Sequence, residues 1–197
     1  MRHGTCDDGL CRPGAHARPG SPLTIAGIVE AELTARELHQ HRWQPTIVVS
    51  SPLLRARQTA AIVASVLGAR VAEPIDTFAE WQAPYCVLGR TSSQSPPDYR
   101  AWRERRAHDP DSALPGGESL RMFAERAVEA ATIAHELTGE TGAVLIVSHR
   151  LLIGAVAALH HGYRHPADVF GFASDFRLGP AHLWTPSDRE KRDQRPS

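Results

Sequence analysis

The feature that most constrains this chain is the alternation of short, β-branched runs with helix-patterned stretches. Residues 46–49 (Thr-Ile-Val-Val), 70–72 (Arg-Val-Ala) and 143–147 (Ala-Val-Leu-Ile-Val) are each short enough to be a buried strand. Helical patterns lie between them, over 25–39, over 53–67 closed by Gly68, and over 120–137 closed by Gly139. In the third, Leu120, Phe123, Ala127, Ala131, Ala134 and Leu137 fall on one stripe. Residues 151–159 predict a further helix, and 176–184 a further strand, antiparallel or at an edge because Gly179-Pro180 interrupts it. Such an order predicts an α/β fold: a three-layer α/β/α sandwich with a mostly parallel central sheet and right-handed crossovers.

A length of 197 residues, 42% of them hydrophobic, suits one sizeable core, so residues 1–187 are expected to form a single domain. Residues 85–115, with Ser92, Ser93, Ser95, Pro96, Pro97 and a charged stretch around Trp102, break the alternation and read as an inserted cap. The charged tail 188–197 is expected to be flexible. No run of eighteen apolar residues and no signal segment is found, so the expected location is the cytoplasm.

Twenty-two basic residues balance twenty-two acidic ones, which argues against nucleic acid or an anionic membrane as partner. Three cysteines suggest no disulfide framework, and Cys6, Asp7, Asp8, Cys11 and His16 match no zinc spacing, so this segment reads as a polar loop.

Ligands of open α/β sheets gather beyond the carboxyl ends of the strands. Ser50-Ser51-Pro52-Leu53-Leu54-Arg55 follows the first run and puts Arg55 in the first turn of a helix; Ser148-His149 follows the third run at the same sheet end; Arg2-His3-Gly4 offers a third such exit. Two arginines and two histidines gathered there suit a phosphoryl group. The guanidinium fork binds phosphate oxygens in pairs and keeps its charge, and a neutral imidazole can attack phosphorus.

Arg2-His3-Gly4, the stretch from Ser51 to Ala60 (SPLLRARQTA), Gly116-Gly117-Glu118-Ser119 and Val147-Ser148-His149 resemble, in order and spacing, the histidine phosphatase (phosphoglycerate mutase-like) superfamily. The resemblance implies a phosphohistidine intermediate at His3, with Arg2, Arg55 and His149 binding the phosphoryl group and no metal or other cofactor. It further implies an acid that protonates the leaving alkoxide. Glu80 occupies that place, with Trp81 beside it to desolvate it and Asp76 as the rival. Glu118 would support the pocket without reacting. His160, His161 and His165 read as helix-end residues, where a cationic imidazole is favourable.

The sequence departs from the family pattern in three places. Met1 directly precedes Arg2 where the family has several apolar residues, so the first strand is expected to be truncated, and the start to be internal to a longer frame or the protein a damaged copy. Thr5, Cys6 and Gly9 replace the usual glutamate, threonine and asparagine, and Arg150 stands where glycine is common, either turned away or adding a cation. The expected function is hydrolysis of a small phosphomonoester, the implied partner being that phosphorylated substrate. A phosphomutase is disfavoured because Lys191 is the only lysine, and a non-catalytic phospho-ligand module is the remaining alternative. Arg12, His16, Arg18, Trp81, Tyr85 and Arg90 are candidates for choosing the substrate, whose identity stays open together with the oligomeric state.

Overall fold

Ile47–Ser50 (β1) lies at the centre of a parallel sheet in the computed structural model, which describes residues 1–8 and 16–186, with Arg70–Val71 (β2) on one side and Val144–Val147 (β3) on the other. Ile47 pairs with Arg70 and with Val144, and the β1–β3 register continues to Ser50 opposite Val147. Side chains alternate across the strands. Val48, Leu145 and Val147 therefore pack on one face against Ala31 and Ala35 of Ile25–Gln40 (α1) and Ala56, Ala60, Val63 and Ala64 of Leu54–Leu67 (α2). Val49 faces the other way, into a cluster with Leu120, Phe123 and Ala127 of Leu120–Thr141 (α4), Leu151, Leu152 and Ala155 of Arg150–His160 (α5), and Val169, Phe170 and Ala173 of Pro166–Asp175 (α6). These are the three layers expected from the alternation.

Local signals explain the helix ends. Thr24 caps α1 by accepting the Gly27 N–H, Ser119 caps α4 by accepting the Met122 N–H, and α2 ends at Gly68 in the left-handed region, φ 66°. Helix α4 continues past Gly139, where an end was expected, to a cap at Gly142 with φ 79°. A glycine inside a helix costs only about 1 kcal/mol, so it need not end the helix.

Beyond β3 the sheet continues as a fragment. Arg2 bridges Ser148 in parallel, His3 N–H donates to Ser148 O at 3.0 Å, Ser148 N–H to Met1 O at 2.9 Å, and the Met1 amino group to Ile146 O at 2.8 Å. Three residues stand where the resemblance implies a longer strand. The edge past Met1 borders an apolar cavity of about 690 Å3 lined by Trp43, Val144, Ile146, Ile153, Leu183 and Trp184.

The expected strand over 176–184 is not formed. Phe176 instead caps α6, a helix the sequence reading missed although Pro166 at its start and Asp168 in its first turn are ordinary helix-start signals. Ala181 takes φ 57° after Gly179-Pro180, which breaks an extended run, yet Arg2 N–H reaches His182 O at 2.9 Å and Ala181 N–H reaches His3 O at 3.2 Å. His160 ends α5, His161 is its cap, and His165 begins α6; their rings pack on aromatics, His160 on Trp184 at 6.2 Å and His161 on Phe172 at 5.4 Å.

Residues 85–115 carry the helix Pro97–Arg105 (α3), which buries Tyr99 and Trp102. Leu88, in the same segment, bridges His16. No helix among the described residues is long and apolar enough to cross a membrane. Cys11, Gly9, Arg12 and the tail from 188 lie outside the described residues.

Candidate active site

Gly4 leaves the sheet fragment pressed against α1. A Cβ there would come 2.4 Å from Gly27 O, and one on Gly27 would come 2.1 Å from Thr5 O, so both positions need glycine for the backbones to meet. Thr5, one of the departures, is held by Glu30, its N–H donating at 2.7 Å and its hydroxyl at 2.8 Å. Gly4 N–H donates to the Thr59 hydroxyl, which itself donates to Arg55 O. The motif residues of α2 thus fasten the Arg2-His3-Gly4 turn to the helix that carries Arg55.

His3 is buried, and its Nδ1 lies 2.7 Å from Gly4 O. A carbonyl can only accept, so Nδ1 carries the proton and Nε2 presents its lone pair. Arg55 Nε donates to that Nε2 at 3.3 Å, and Arg55 Nη1 donates to Arg18 O at 3.1 Å. Burial, then the Arg55 charge, push His3 down to about 3, so the ring is neutral at any ordinary pH.

His149 lies 5.0 Å from His3, ring centre to ring centre, with no exposed surface. Its Nε2 is 2.6 Å from Ser51 Oγ, and that oxygen accepts the Leu53 N–H. The Ser51 hydroxyl hydrogen is then free to point at His149 Nε2, an arrangement in which the His149 proton sits on Nδ1. His149 Nδ1 and Arg2 Nε are both buried with no protein partner, while Arg2 Nη1 donates to Leu178 O at 2.6 Å. Unpartnered buried polar atoms are costly, and two at one site call for a partner from outside the protein. Burial, followed by the neighbouring His3 and arginines, holds His149 well below its ordinary range.

Arg2, His3, Arg55 and Glu80 line one pocket of about 810 Å3, so four of the five site residues expected from the sequence share a cavity and His149 lies beneath it. Glu80 accepts Trp81 N–H at 3.1 Å and Leu151 N–H at 3.4 Å, and its charge acts on both Arg2 and Arg55. The Trp81 indole stacks on Trp102 and donates to Glu118 O. Asp76 lies exposed and also lines the pocket. Arg150 lines the pocket and its charge acts on Arg2, while its Nη1 reaches the end of α6, donating to Ala173, Ser174 and Phe176 carbonyls at 3.0 to 3.1 Å. Arg18 is paired with Asp8 at 2.8 Å, and no group of three or more candidate metal ligands occurs among the described residues.

Sequence reasoning missed Arg126. It sits among the apolar positions of α4, and that out-of-place charge was the available signal. Its Nε and Nη2 grip Glu118 at 2.8 and 2.7 Å, Nη1 donates to Thr77 O and Ala79 O, and Nη2 also reaches Glu80 O. Glu118 supports the pocket in this way, by fixing the arginine that holds the loop carrying Glu80. Ser51 and Ser148 were likewise passed over; the Ser148 hydroxyl donates to Phe78 O at 2.8 Å and ties β3 to the same loop.

The buried imidazoles make folding pH-dependent. His3 and His16 fall from 6.5 to about 3 and about 4, His16 by burial and then the Arg106 and Arg103 charges. Below pH 6.5 the unfolded chain takes up protons that the folded one refuses. Stability therefore drops as pH falls through the interval from 6.5 to about 3, by about 1.4 kcal/mol per pH unit for each such histidine. Denaturant titrations at pH 7 and pH 5 are expected to differ by several kcal/mol in unfolding free energy; equal values would mean that these rings are hydrated.

A neutral imidazole flanked by the buried Arg55 and the half-buried Arg2, at the carboxyl end of a parallel sheet, is suited to an anion. The family is given by comparison with known proteins: the chain belongs to the histidine phosphatase superfamily (branch 1), whose model matches residues 1–171. Among solved structures it is similar to "Mycobacterial hydrolase 1", at 25% identity and TM-score 0.71, covering 91% of this chain and 83% of that one. A mycobacterial glucosyl-3-phosphoglycerate phosphatase matches at 25% identity and TM-score 0.68, covering 91% and 85%. A putative alpha-ribazole-5'-P phosphatase from Escherichia coli shares the fold at 23% identity and TM-score 0.70, covering 85% and 80%. Comparison with curated proteins gives no match.

Proposed function

We propose that this protein is a phosphatase that hydrolyses a small phosphomonoester through a phosphohistidine on His3. The observation that carries this reading is the His3 ring itself, its Nδ1 tied to Gly4 O and its Nε2 lone pair facing Arg55 Nε at 3.3 Å. Nε2 attacks phosphorus as the ester P–O bond breaks, and the leaving alkoxide takes the proton of Glu80. Water then attacks the phosphohistidine, giving its proton to the Glu80 carboxylate, and inorganic phosphate leaves with His3 restored. Arg2, Arg55 and the His149 Nδ1–H hold the equatorial oxygens, where charge grows in the transition state, so they lower the barrier more than they tighten substrate binding. The small phosphorylated substrate is the only partner this reading requires.

Glu80 can be tested through the leaving group. Glu80→Gln is expected to slow an alkyl phosphate by about 10²- to 10⁴-fold, and p-nitrophenyl phosphate far less, because p-nitrophenolate leaves without a proton. Equal losses on both esters would transfer the role to another acid, Asp76 first. Release of inorganic phosphate from either ester by the unaltered protein tests the function as a whole; phosphate binding without turnover of any ester would make the protein a phospho-ligand module.

A further inference from the structure

Arg150 is held at one edge and open at the other. Its Nη1 donates to the carbonyls of Ala173, Ser174 and Phe176 at the C-terminal end of α6, where a cation is favourable without a carboxylate. Its Nε and Nη2 have no hydrogen-bond acceptor and no ion-pair partner among the described residues, and neither is sealed from solvent. Nε and Nη2 form the flat side of the guanidinium, whose parallel N–H bonds match the two oxygens of a carboxylate or a phosphate. The residue lines the pocket, so this unused side is available to what binds there.

The surroundings set Arg150 on the side of the alcohol that leaves. Leu151, the next residue, donates its N–H to Glu80 Oε2 at 3.4 Å, and Glu80 is the acid that the phosphatase reading places at the leaving oxygen. Arg2 is its cationic neighbour: Arg2 Nη1 donates to Leu178 O, so the two guanidinium groups lean on carbonyls of one short segment, 173–178. The charge of Arg150 acts on Arg2, whereas His3 and His149 respond to Arg2 and Arg55. Arg150 is therefore one arginine removed from the nucleophile. Like charges set side by side repel, and an anion placed against them relieves that cost.

Resting on the phosphatase reading, we propose that Arg150 determines which ester is taken: its Nε–Nη2 edge receives a second anionic group, a carboxylate or a phosphate, carried by the alcohol part of the substrate. The anchor at α6 already restricts the side chain, so little further order is lost when the anion binds. Arg2, Arg55 and His149 are left to the transferred phosphoryl group, and the second anion fixes the alcohol beside Glu80.

A homologous series of phosphonooxyalkanoic acids, from 3-phosphonooxypropanoate upward, each beside its neutral amide, holds the leaving alcohol nearly constant while the second charge is removed. At the chain length that spans the two sites, kcat/KM of the acid is expected to exceed that of its amide on the order of tenfold, the scale of one hydrogen-bonded charge. Alkanediol bisphosphates against the matching monophosphates read whether a phosphate is received better than a carboxylate. Arg150→Met is expected to bring these ratios toward unity, whatever it does to both members of a pair in common, and Arg150→Lys, which keeps the charge without the fork, to restore part of them. If Arg150→Met does not fold, Arg150→Lys carries the comparison with a partial loss of the ratio. Calorimetric dissociation constants of the same pairs on His3→Ala read the pocket apart from the chemistry and should show the same preference. Ratios near unity at every length in the wild type, or equal losses on acid and amide in Arg150→Met, as a helix anchor alone would give, would overturn the assignment while leaving the phosphatase reading intact. So would a preference that survives in Arg150→Met, which would move the anion to another cation such as Arg106, whose buried Nη1 has no partner. Preferential binding of the acids with no turnover of any ester would keep the assignment and remove the phosphatase reading.

Discussion

Replacing His3 with alanine is expected to abolish phosphomonoester turnover, with a loss on the order of 10⁴-fold or more, because the proposed route passes through its Nε2. His149 is the nearest imidazole, but it is fully buried, with Nε2 engaged by Ser51. The alanine variant should still fold and still bind inorganic phosphate, since Arg2, Arg55 and the His149 Nδ1–H remain. Steady-state kcat/KM on p-nitrophenyl phosphate, with a thermal melt alongside, checks both parts. A folded variant within tenfold of wild type would remove His3 from the chemistry.

The second large effect falls on stability. Arg126→Met leaves Glu118 as a buried carboxylate without its partner, since the two side chains are only 19% and 7% exposed, and frees three carbonyls of the loop from Thr77 to Glu80. Breaking one side of such a pair typically costs about 3–5 kcal/mol. For a chain of this size that corresponds to a fall in Tm of roughly 6–20 °C. Glu118→Gln should cost less, because the amide keeps an acceptor for Arg126, and the double variant should fall short of the sum, since each change removes the same contact. Additive losses would mean that the two residues act separately. Activity should fall in Arg126→Met as well, through the displaced Glu80 and not through lost phosphate binding.

Much of this architecture can be read from the sequence because its signals are local. A β-branched run followed by a capped, striped helix identifies a strand and its crossover with no knowledge of the rest, and this recovers β1, β2, β3 and helices α1, α2, α4 and α5. The site follows by the same logic, because strand ends of a parallel sheet converge, and Arg2, His3, Arg55 and His149 each stand at one. What escaped depends on contacts distant in sequence. Residues 176–184 have strand-like composition, but the helix α6 before them and the left-handed Ala181 leave only two residues bonded to the Arg2-His3 backbone. Helix α6 is short and carries Gly171, so its pattern is weak until Val169, Phe170 and Ala173 find α4 and α5. Arg126 acts on carbonyls more than forty residues away, which no spacing within α4 announces. Arg150, open between two orientations by its sequence position, is anchored by the end of a helix that had not been foreseen and still lines the pocket as a further cation.

The central claim is covalent, and rapid-quench labelling tests it most directly. Wild-type protein and His3→Ala are mixed with a radiolabelled phosphomonoester, stopped within the first turnover, and examined for protein-bound phosphate. The account predicts label on the wild type that is labile in acid, stable in base, located at His3 and absent from the variant. A wild-type protein that turns over its substrate with no such label, or a variant that carries it at another residue, would contradict the account.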